Sequence, residues 1–192
     1  MRQFVRSAAI VFALAAASAS AGTPQVSFVP WKVLNRGDKP IEAPLVLYWI
    51  PASRDEIRRS ELVTSRALTM YASQCVGMQL IRPDDTRTIE NLGASEKLPI
   101  AILLAGDGEE LGRVEPHRGT LSEPEVAELV RDALGEHEAH AELLLDEAKE
   151  KAASGETEAA IVLYRRVWDE RCVCPRQGKA AQRALKKLGA LR

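Results

Sequence analysis

Residues 45–50 read LVLYWI, residue 51 is proline, and residues 53–56 read SRDE. The first six residues form an apolar run rich in β-branched and aromatic side chains, which is typical of a strand buried on both faces of a sheet. Proline ends such a strand, and S-x-x-E is the capping-box pattern that opens a helix. The stretch therefore predicts a buried central strand followed at once by a helix, which we expect to run to about residues 71–73.

The flanking segments predict the rest of a sheet covered by helices. An apolar patch at 26–34 favours a first, edge-like strand, and the alternation at 76–81 favours another. Residues 100–104 and 110–115 flank a Gly-Asp-Gly turn, which indicates a β-hairpin. From Ser122 onward the apolar residues recur at helical spacing. The expected fold class is α/β, a mixed sheet flanked by helices.

The N-terminus has the features of a secretory signal. Arg2 and Arg6 give it a basic start, an alanine-rich apolar run follows, and residues 19–21 form a small-x-small cleavage site. A retained anchor would need roughly 20 strongly apolar residues. We therefore expect residues 1–21 to be removed, the protein to be periplasmic or secreted, and no later segment to insert into a membrane.

Composition and charge narrow the function classes. With 46% hydrophobic and 28% charged residues, the chain is neither disordered nor collagen-like. Its formal net charge is −1, and loss of the two leader arginines leaves 24 basic against 27 acidic residues, a net charge of −3. A near-neutral chain has no global electrostatic reason to bind nucleic acid or a membrane surface, so we expect no nucleic-acid partner.

Charge is nevertheless unevenly distributed along the chain. Residues 104–147 contain 13 acidic and 3 basic residues, whereas residues 176–192 contain 6 basic and no acidic residues. Solvated helix faces are the ordinary explanation. The alternative is that the basic end packs against the acidic stretch within the molecule.

The order of strand, helix, strand, Leu-Pro, hairpin and helix resembles the thioredoxin fold over residues 26–134. The resemblance is carried by the strand that ends in Trp49-Ile50, by Pro99 and by the glycine-centred hairpin. It implies that Pro99 occupies the position of that family's cis-proline. It also implies a binding groove whose candidate residues are Trp49, Ser53, Glu56, Leu98 and Pro99.

The chain departs from that family at the site of its chemistry. A thioredoxin-family oxidoreductase carries Cys-x-x-Cys at the helix start, where the helix dipole stabilises a thiolate. Here residues 53–56 contain no cysteine. Ser53 as a nucleophile would need a base, and we expect His117, His137 and His140 to lie elsewhere. The sequence therefore predicts a redox-inactive site without a cofactor.

The C-terminal segment predicts a helical hairpin. The spacing of apolar, small and aromatic residues resembles one tetratricopeptide unit, at Leu144, Ala148, Gly155, Ala160, Tyr164 and Val167. A further helix is predicted at 177–188. An ordinary helical hairpin without repeat ancestry remains the alternative. The predicted domains are a thioredoxin-like domain at 22–136 and the hairpin at 137–192.

Three cysteines remain to be placed. In the thioredoxin-like topology Cys75 lies at the pole opposite the groove, where the C-terminal hairpin also emerges. Residues 161, 164, 168 and 172 form one helical stripe, which favours a Cys75–Cys172 disulfide, with Cys174 as the alternative partner. Redox chemistry by Cys172 and Cys174 with Cys75, and a zinc site formed by His137, His140, Cys172 and Cys174, are the other hypotheses.

These features together predict an exported, redox-inactive thioredoxin-like binding or scaffold module. Its expected partner is another exported protein or an extended peptide that adds its backbone beside Pro99. The alternative is an atypical thiol-disulfide oxidoreductase that uses Cys172 and Cys174 with Cys75.

Overall fold

The computed structural model describes residues 28–35, 37–95 and 97–191. The predicted leader at 1–21 lies outside these residues, as do the first two residues of the predicted edge strand. The elements along the chain are β1 (Lys32–Leu34), β2 (Leu45–Ile50), α1 (Arg54–Arg59), a short 3₁₀ helix (Glu61–Val63), α2 (Arg66–Ala72), β3 (Val76–Ile81), α3 (Thr86–Asn91), β4 (Ile100–Ala105), β5 (Glu110–Val114), α4 (Glu123–Ala153), α5 (Thr157–Asp169) and α6 (Pro175–Lys187).

The five strands form one mixed sheet in the order β1-β3-β2-β4-β5. β1, β3 and β2 run parallel, and β4 and β5 form the predicted antiparallel hairpin. All six residues of β2 are buried, as expected for a central strand between two layers. Leu45, Leu47 and Trp49 pack in the larger core with α4, while Val46, Tyr48 and Ile50 pack in the smaller core on the opposite face.

The smaller core is covered in part by the extended chain between β1 and β2. The Gln79 side chain, fully buried on β3, accepts from the Ile41 amide at 3.1 Å and donates to the Lys32 carbonyl at 2.7 Å. A Cβ at Gly77 would lie 2.9 Å from Cγ2 of Ile41, which is too close. Gly77 and Gln79 thus hold this segment on the sheet in place of a helix.

The predicted single helix after Ser53 is wrong, because serines break it into α1, the 3₁₀ helix and α2. The Ser60 side chain accepts from the Leu62 amide at 3.3 Å, and the Ser65 side chain accepts from the Leu68 amide at 3.0 Å. Such serines compete with helix-interior hydrogen bonds and favour new helix starts. The segment still returns the chain from the end of β2 to the start of β3.

α4 is one continuous helix of 31 residues, and it contributes to both parts of the molecule. Its first half buries Val126 and Val130 against the sheet, and its second half packs with α5 and α6. Gly155, with φ +84°, forms the turn into α5. The predicted boundary between 136 and 137 falls inside α4 and stays a prediction.

The fold class is confirmed as a mixed sheet flanked by helices and followed by a helical hairpin. No helix within the three described segments combines the length and apolarity that a bilayer span requires.

Candidate functional site

The groove candidates converge on the end of the sheet where β2 finishes. Ile50 pairs with Ile100 in the antiparallel register, so the next residues, Pro51 and Pro99, face each other across this edge. The Leu98–Pro99 peptide bond is cis. Pro99 is buried and Leu98 half-buried, and α1 begins four residues after Ile50. Strand register therefore brings both chain segments of the predicted groove to one place.

Ser53 and Glu56 cap the start of α1. The Ser53 Oγ accepts from the Glu56 amide at 3.3 Å, and the Glu56 Oε2 accepts from the Ala52 amide at 2.7 Å. In a regular capping box this glutamate would accept from the amide of the N-cap residue, here Ser53, whereas Glu56 accepts from the amide of the residue before it. Burial raises the pKa of the Glu56 carboxyl, and the Ala52 hydrogen bond opposes that rise. These amides are therefore bound by the chain itself.

Trp49 supports this end of the sheet from beneath instead of lining a groove. Its side chain is fully buried, and its ring lies 5.3 Å from that of Trp31, tilted by 58°. The Trp31 Nε1 donates to the Leu62 carbonyl at 3.0 Å. Alternating side chains on a strand point to opposite faces, and Trp49 points into the larger core. Surface candidates are accordingly Ser53, Glu56 and Leu98.

A polar cleft of about 600 Å³ opens at the same end of the sheet, where β1 and β3 finish. Its lining includes Asp38, Arg82 and Asp84. Arg54 of α1 donates to Asp84 at 3.0 Å and holds the pKa of that carboxyl below its usual value. Hydrogen bonds from Asn35 likewise lower the pKa of Asp38. Both carboxylates are therefore ionised at neutral pH.

Sequence reasoning missed this cleft, although one signal was available. Residues 83–85 read PDD and follow a predicted parallel strand. Polar residues at the carboxyl ends of parallel strands gather at one edge of a sheet, next to the helix starts. What the sequence did not show is that Arg54 reaches across to Asp84 and links the cleft to α1.

His117 lies nearer this end than the sequence suggested. Val114, the last residue of β5, pairs with Ala101 near the start of β4, so the chain after β5 emerges on the groove side. His117 is exposed, and its main chain pairs with Thr120. Among the described residues no hydrogen bond joins its ring to Ser53, whose Oγ is occupied as the α1 cap.

The cysteines lie at the opposite end of the sheet. Cys75 precedes Val76, which pairs with Leu45 at the start of β2. Cys75 and Cys172 form a disulfide with a Cα–Cα distance of 5.7 Å, and this is the first of the two pairings that the sequence predicted. It joins the sheet to the turn between α5 and α6.

The helical stripe used to predict that pairing differs from the structure. α5 ends at Asp169, so Cys172 lies in the following turn and is exposed, whereas Cys174 is fully buried. Burial raises the pKa of the Cys174 thiol to about 11, and the charges of Glu170 and Glu138 add to the rise. The thiol therefore stays protonated at neutral pH and is a poor nucleophile.

Two of the four hypothetical zinc ligands are engaged otherwise. Cys172 is bonded to Cys75, and His137 Nδ1 lies 3.6 Å from Glu170 Oε2. In the part of the chain that the structure covers, no group of three or more His, Cys, Asp or Glu side chains could hold a metal ion. His137 and Glu170 thus lie close together where α4 passes the end of α5.

The sequence matches no protein-family model, and no curated protein matches it at a significant level. The described structure thus has a capped helix start, a Leu-Pro segment and a polar cleft at one end of the sheet. At the other end it has a disulfide and a buried thiol.

Proposed function

We propose that this protein is an exported, redox-inactive, thioredoxin-like binding module that holds an extended segment of another exported protein beside Pro99. The order of elements from β1 to α4, the position of Pro99 at the start of β4 and the hairpin that follows all favour a thioredoxin-like domain. The cleft at the carboxyl ends of β1 and β3 favours binding at the same end of the sheet.

The observation that carries the proposal is the capped start of α1. Ser53 and Glu56 bind the amides that would otherwise stabilise a thiolate or an anion at this position. All three cysteines lie away from this end, one before β3 and two between α5 and α6. The site therefore has the means to bind backbone but no thiol with which to exchange a disulfide.

An extended peptide is the partner that fits the Leu98 edge best. Among the described residues, no main-chain hydrogen bond involves Leu98, while Ile100 already pairs with β2. Free main-chain groups at the end of a strand bind an added strand through backbone hydrogen bonds, and neighbouring side chains supply the selectivity. Polar and charged side chains at the same end of the sheet include Ser53, Asp84 and Arg82.

The hairpin and the compartment belong to the same proposal. Ala148 and Ala160 are fully buried between α4 and α5, and Tyr164 is buried beside them, as the tetratricopeptide-like interpretation requires.

The leader at 1–21 supports export to the periplasm or beyond, and the Cys75–Cys172 disulfide is of the kind that persists in oxidising compartments. N-terminal sequencing of the exported protein is expected to begin at Gly22.

The binding test compares one edge of the sheet with the other. The measurement is the binding of the purified protein to an array of extended peptides from exported proteins. It compares the wild type with Pro99→Ala and with Pro40→Ala, because Pro40 lies at the other end of the sheet. We expect Pro99→Ala to weaken binding at least tenfold and Pro40→Ala to leave it unchanged. Equal binding by all three proteins would count against the groove.

A disulfide-reduction assay separates the proposal from the oxidoreductase alternative. Cys174 lies two residues from Cys172, but its burial and raised pKa disfavour attack on a disulfide. We expect no reduction of a model protein disulfide above the background rate. Turnover that disappears in Cys174→Ala would establish the alternative instead.

A further inference from the structure

Every exposed residue of α6 except Pro175 is basic. The five are Arg176, Lys179, Arg183, Lys186 and Lys187. Their spacing places them on one side of the helix, opposite the buried residues Gln177, Gly178, Ala181 and Leu185. At 1.5 Å per residue this basic stripe is about 16 Å long.

The basic stripe is not neutralised within the described molecule. No ion pair in the described segments joins α6 to a carboxylate, whereas basic residues elsewhere, such as Arg54, Lys97, Arg113 and Lys151, have acidic partners. The side-chain nitrogens of the stripe make a single internal hydrogen bond, from Arg183 Nε to the Lys179 carbonyl. The basic end therefore packs against α4 of the acidic stretch through the buried side of α6, but in the described segments its charged residues form no ion pairs there.

The acidic residues of α4 form a separate surface. Glu128, Asp132, Glu136, Asp146 and Glu150 are all exposed, and their spacing places them on the side of α4 away from its buried residues. A molecule with a near-neutral total charge thus carries a basic stripe and an acidic stripe on different helices. Such a molecule is oriented by a charged surface even though its net charge is small.

We infer that the basic stripe of α6 is a docking surface for a bilayer that contains anionic phospholipids. The stripe exposes no aromatic or aliphatic anchor of the kind that dominates protein–protein interfaces. Lysine and arginine side chains on a straight helix face suit a flat layer of phosphate groups, which attracts each of them without side-chain insertion. The apolar side of α6 stays buried, so this contact is peripheral.

The contact sets the orientation of the whole molecule. An anionic bilayer attracts α6 and repels the acidic surface of α4, so the protein docks by its C-terminal hairpin. This inference does not depend on the peptide groove, because α6 begins after the disulfide at the far end of the sheet.

Vesicle co-sedimentation of the purified full chain tests the inference. The probes are large vesicles of phosphatidylcholine alone or with one third phosphatidylglycerol, at low and at physiological salt. The test variant is Lys179→Gln, Arg183→Gln and Lys186→Gln combined. The matched control combines Arg58→Gln, Arg59→Gln and Arg66→Gln, exposed arginines of α1 and α2 that change the net charge equally.

We expect salt-sensitive binding to the anionic vesicles only. At about fivefold in partition coefficient per basic residue near the surface, the α6 variant should bind roughly 100-fold more weakly, and the control should lose far less. Lys179→Arg, Arg183→Lys and Lys186→Arg combined keep the charge at the same three positions and should bind like the wild type, so a loss confined to the glutamine variant reports the charge and not the replacement of these side chains. Equal losses in the two neutralised proteins, binding that ignores lipid charge, or binding to a soluble polyanion such as heparin without binding to vesicles would each overturn the inference.

Discussion

Single residues at the two ends of the sheet have opposite chemical tasks. At the groove end, Ser53 and Glu56 occupy helix-start amides, so the oxygen atoms are used for capping. At the far end, Cys174 is removed from water two residues from an exposed disulfide cysteine. Hydrogen bonding at the first end and burial at the second thus each leave a potentially reactive side chain inert, which fits a binding module better than an oxidoreductase.

Cys174 is predicted to be unreactive in the folded protein. Its pKa of about 11 leaves very little thiolate at neutral pH, and the side chain has no exposed surface. Without reductant, we expect iodoacetamide to label none of the three cysteines in the native protein and to label Cys174 alone in denaturant. Peptide mass mapping identifies the labelled residues. The native chain is its own control, and labelling of Cys75 or Cys172 without reductant would contradict the pairing.

Glu56 is predicted to make stability depend on pH in the opposite sense to Glu110. Burial raises the pKa of Glu56, so the folded state holds that proton more tightly, and stability is lost as the pH rises through the folded pKa. Arg113 lowers the pKa of Glu110, so that residue contributes stability that is lost as the pH falls through its folded pKa.

Urea denaturation of Glu56→Gln and Glu110→Gln between acid and neutral pH measures this contrast. Relative to wild type, Glu56→Gln should gain stability as the pH rises, whereas Glu110→Gln should lose it. Parallel pH profiles for the two variants would show that neither carboxyl titrates as its surroundings indicate.

Elements rather than single residues show what the sequence could and could not predict. β2 and β3 were predictable because their apolar runs are bounded by proline and turn residues, and the hairpin because glycines mark its turn. The break after α1 was not, because Ser60 and Ser65 have no unusual sequence context and begin new helical turns only where the larger core receives Leu62 and Leu68. α4 continues across the predicted boundary between 136 and 137, and Gly135 is exposed and tolerated within this long helix.

The arrangement of the candidate groove residues was predictable in part for a related reason. Capping by Ser53 and Glu56 follows from local spacing, and the Leu98–Pro99 edge follows from the strand order. The burial of Trp49 depends on which face of β2 meets α4, and the Arg54–Asp84 contact joins residues thirty positions apart. Both features depend on how distant parts of the chain pack together, and that packing cannot be deduced from a single sequence.

The extended segment before β2 is predicted to depend on Gln79. Gln79→Leu removes a fully buried side chain that satisfies the Ile41 amide and the Lys32 carbonyl. Leaving these two part-buried main-chain groups without that partner should lower the free energy of unfolding by about 1–3 kcal/mol. Gln182→Leu, at a half-buried position on α6, is the control and should change it by less than about 1 kcal/mol. A small effect at both positions would mean that the segment is held by Ile41 and Gly77 instead.

For the whole molecule, the Cys75–Cys172 disulfide is predicted to join two parts that α4 already connects. The bond closes a loop across 97 positions of sequence, so its loss should lower the free energy of unfolding by about 2–4 kcal/mol through greater freedom of the unfolded chain. Because α4 packs on both the sheet and α5, we expect the variant Cys75→Ser with Cys172→Ser to retain helical structure and to unfold at lower denaturant. Circular dichroism during guanidinium denaturation measures both the helical content and the free energy of unfolding.

Adding reductant to the wild type should reproduce the loss of stability, and adding it to the double variant should change nothing. If the double variant unfolds in two separate transitions, the sheet and the hairpin are independent units that the disulfide couples. A single transition shifted to lower denaturant makes α4 the element that unites them, which is the result that its unbroken helix and its packing on both parts predict.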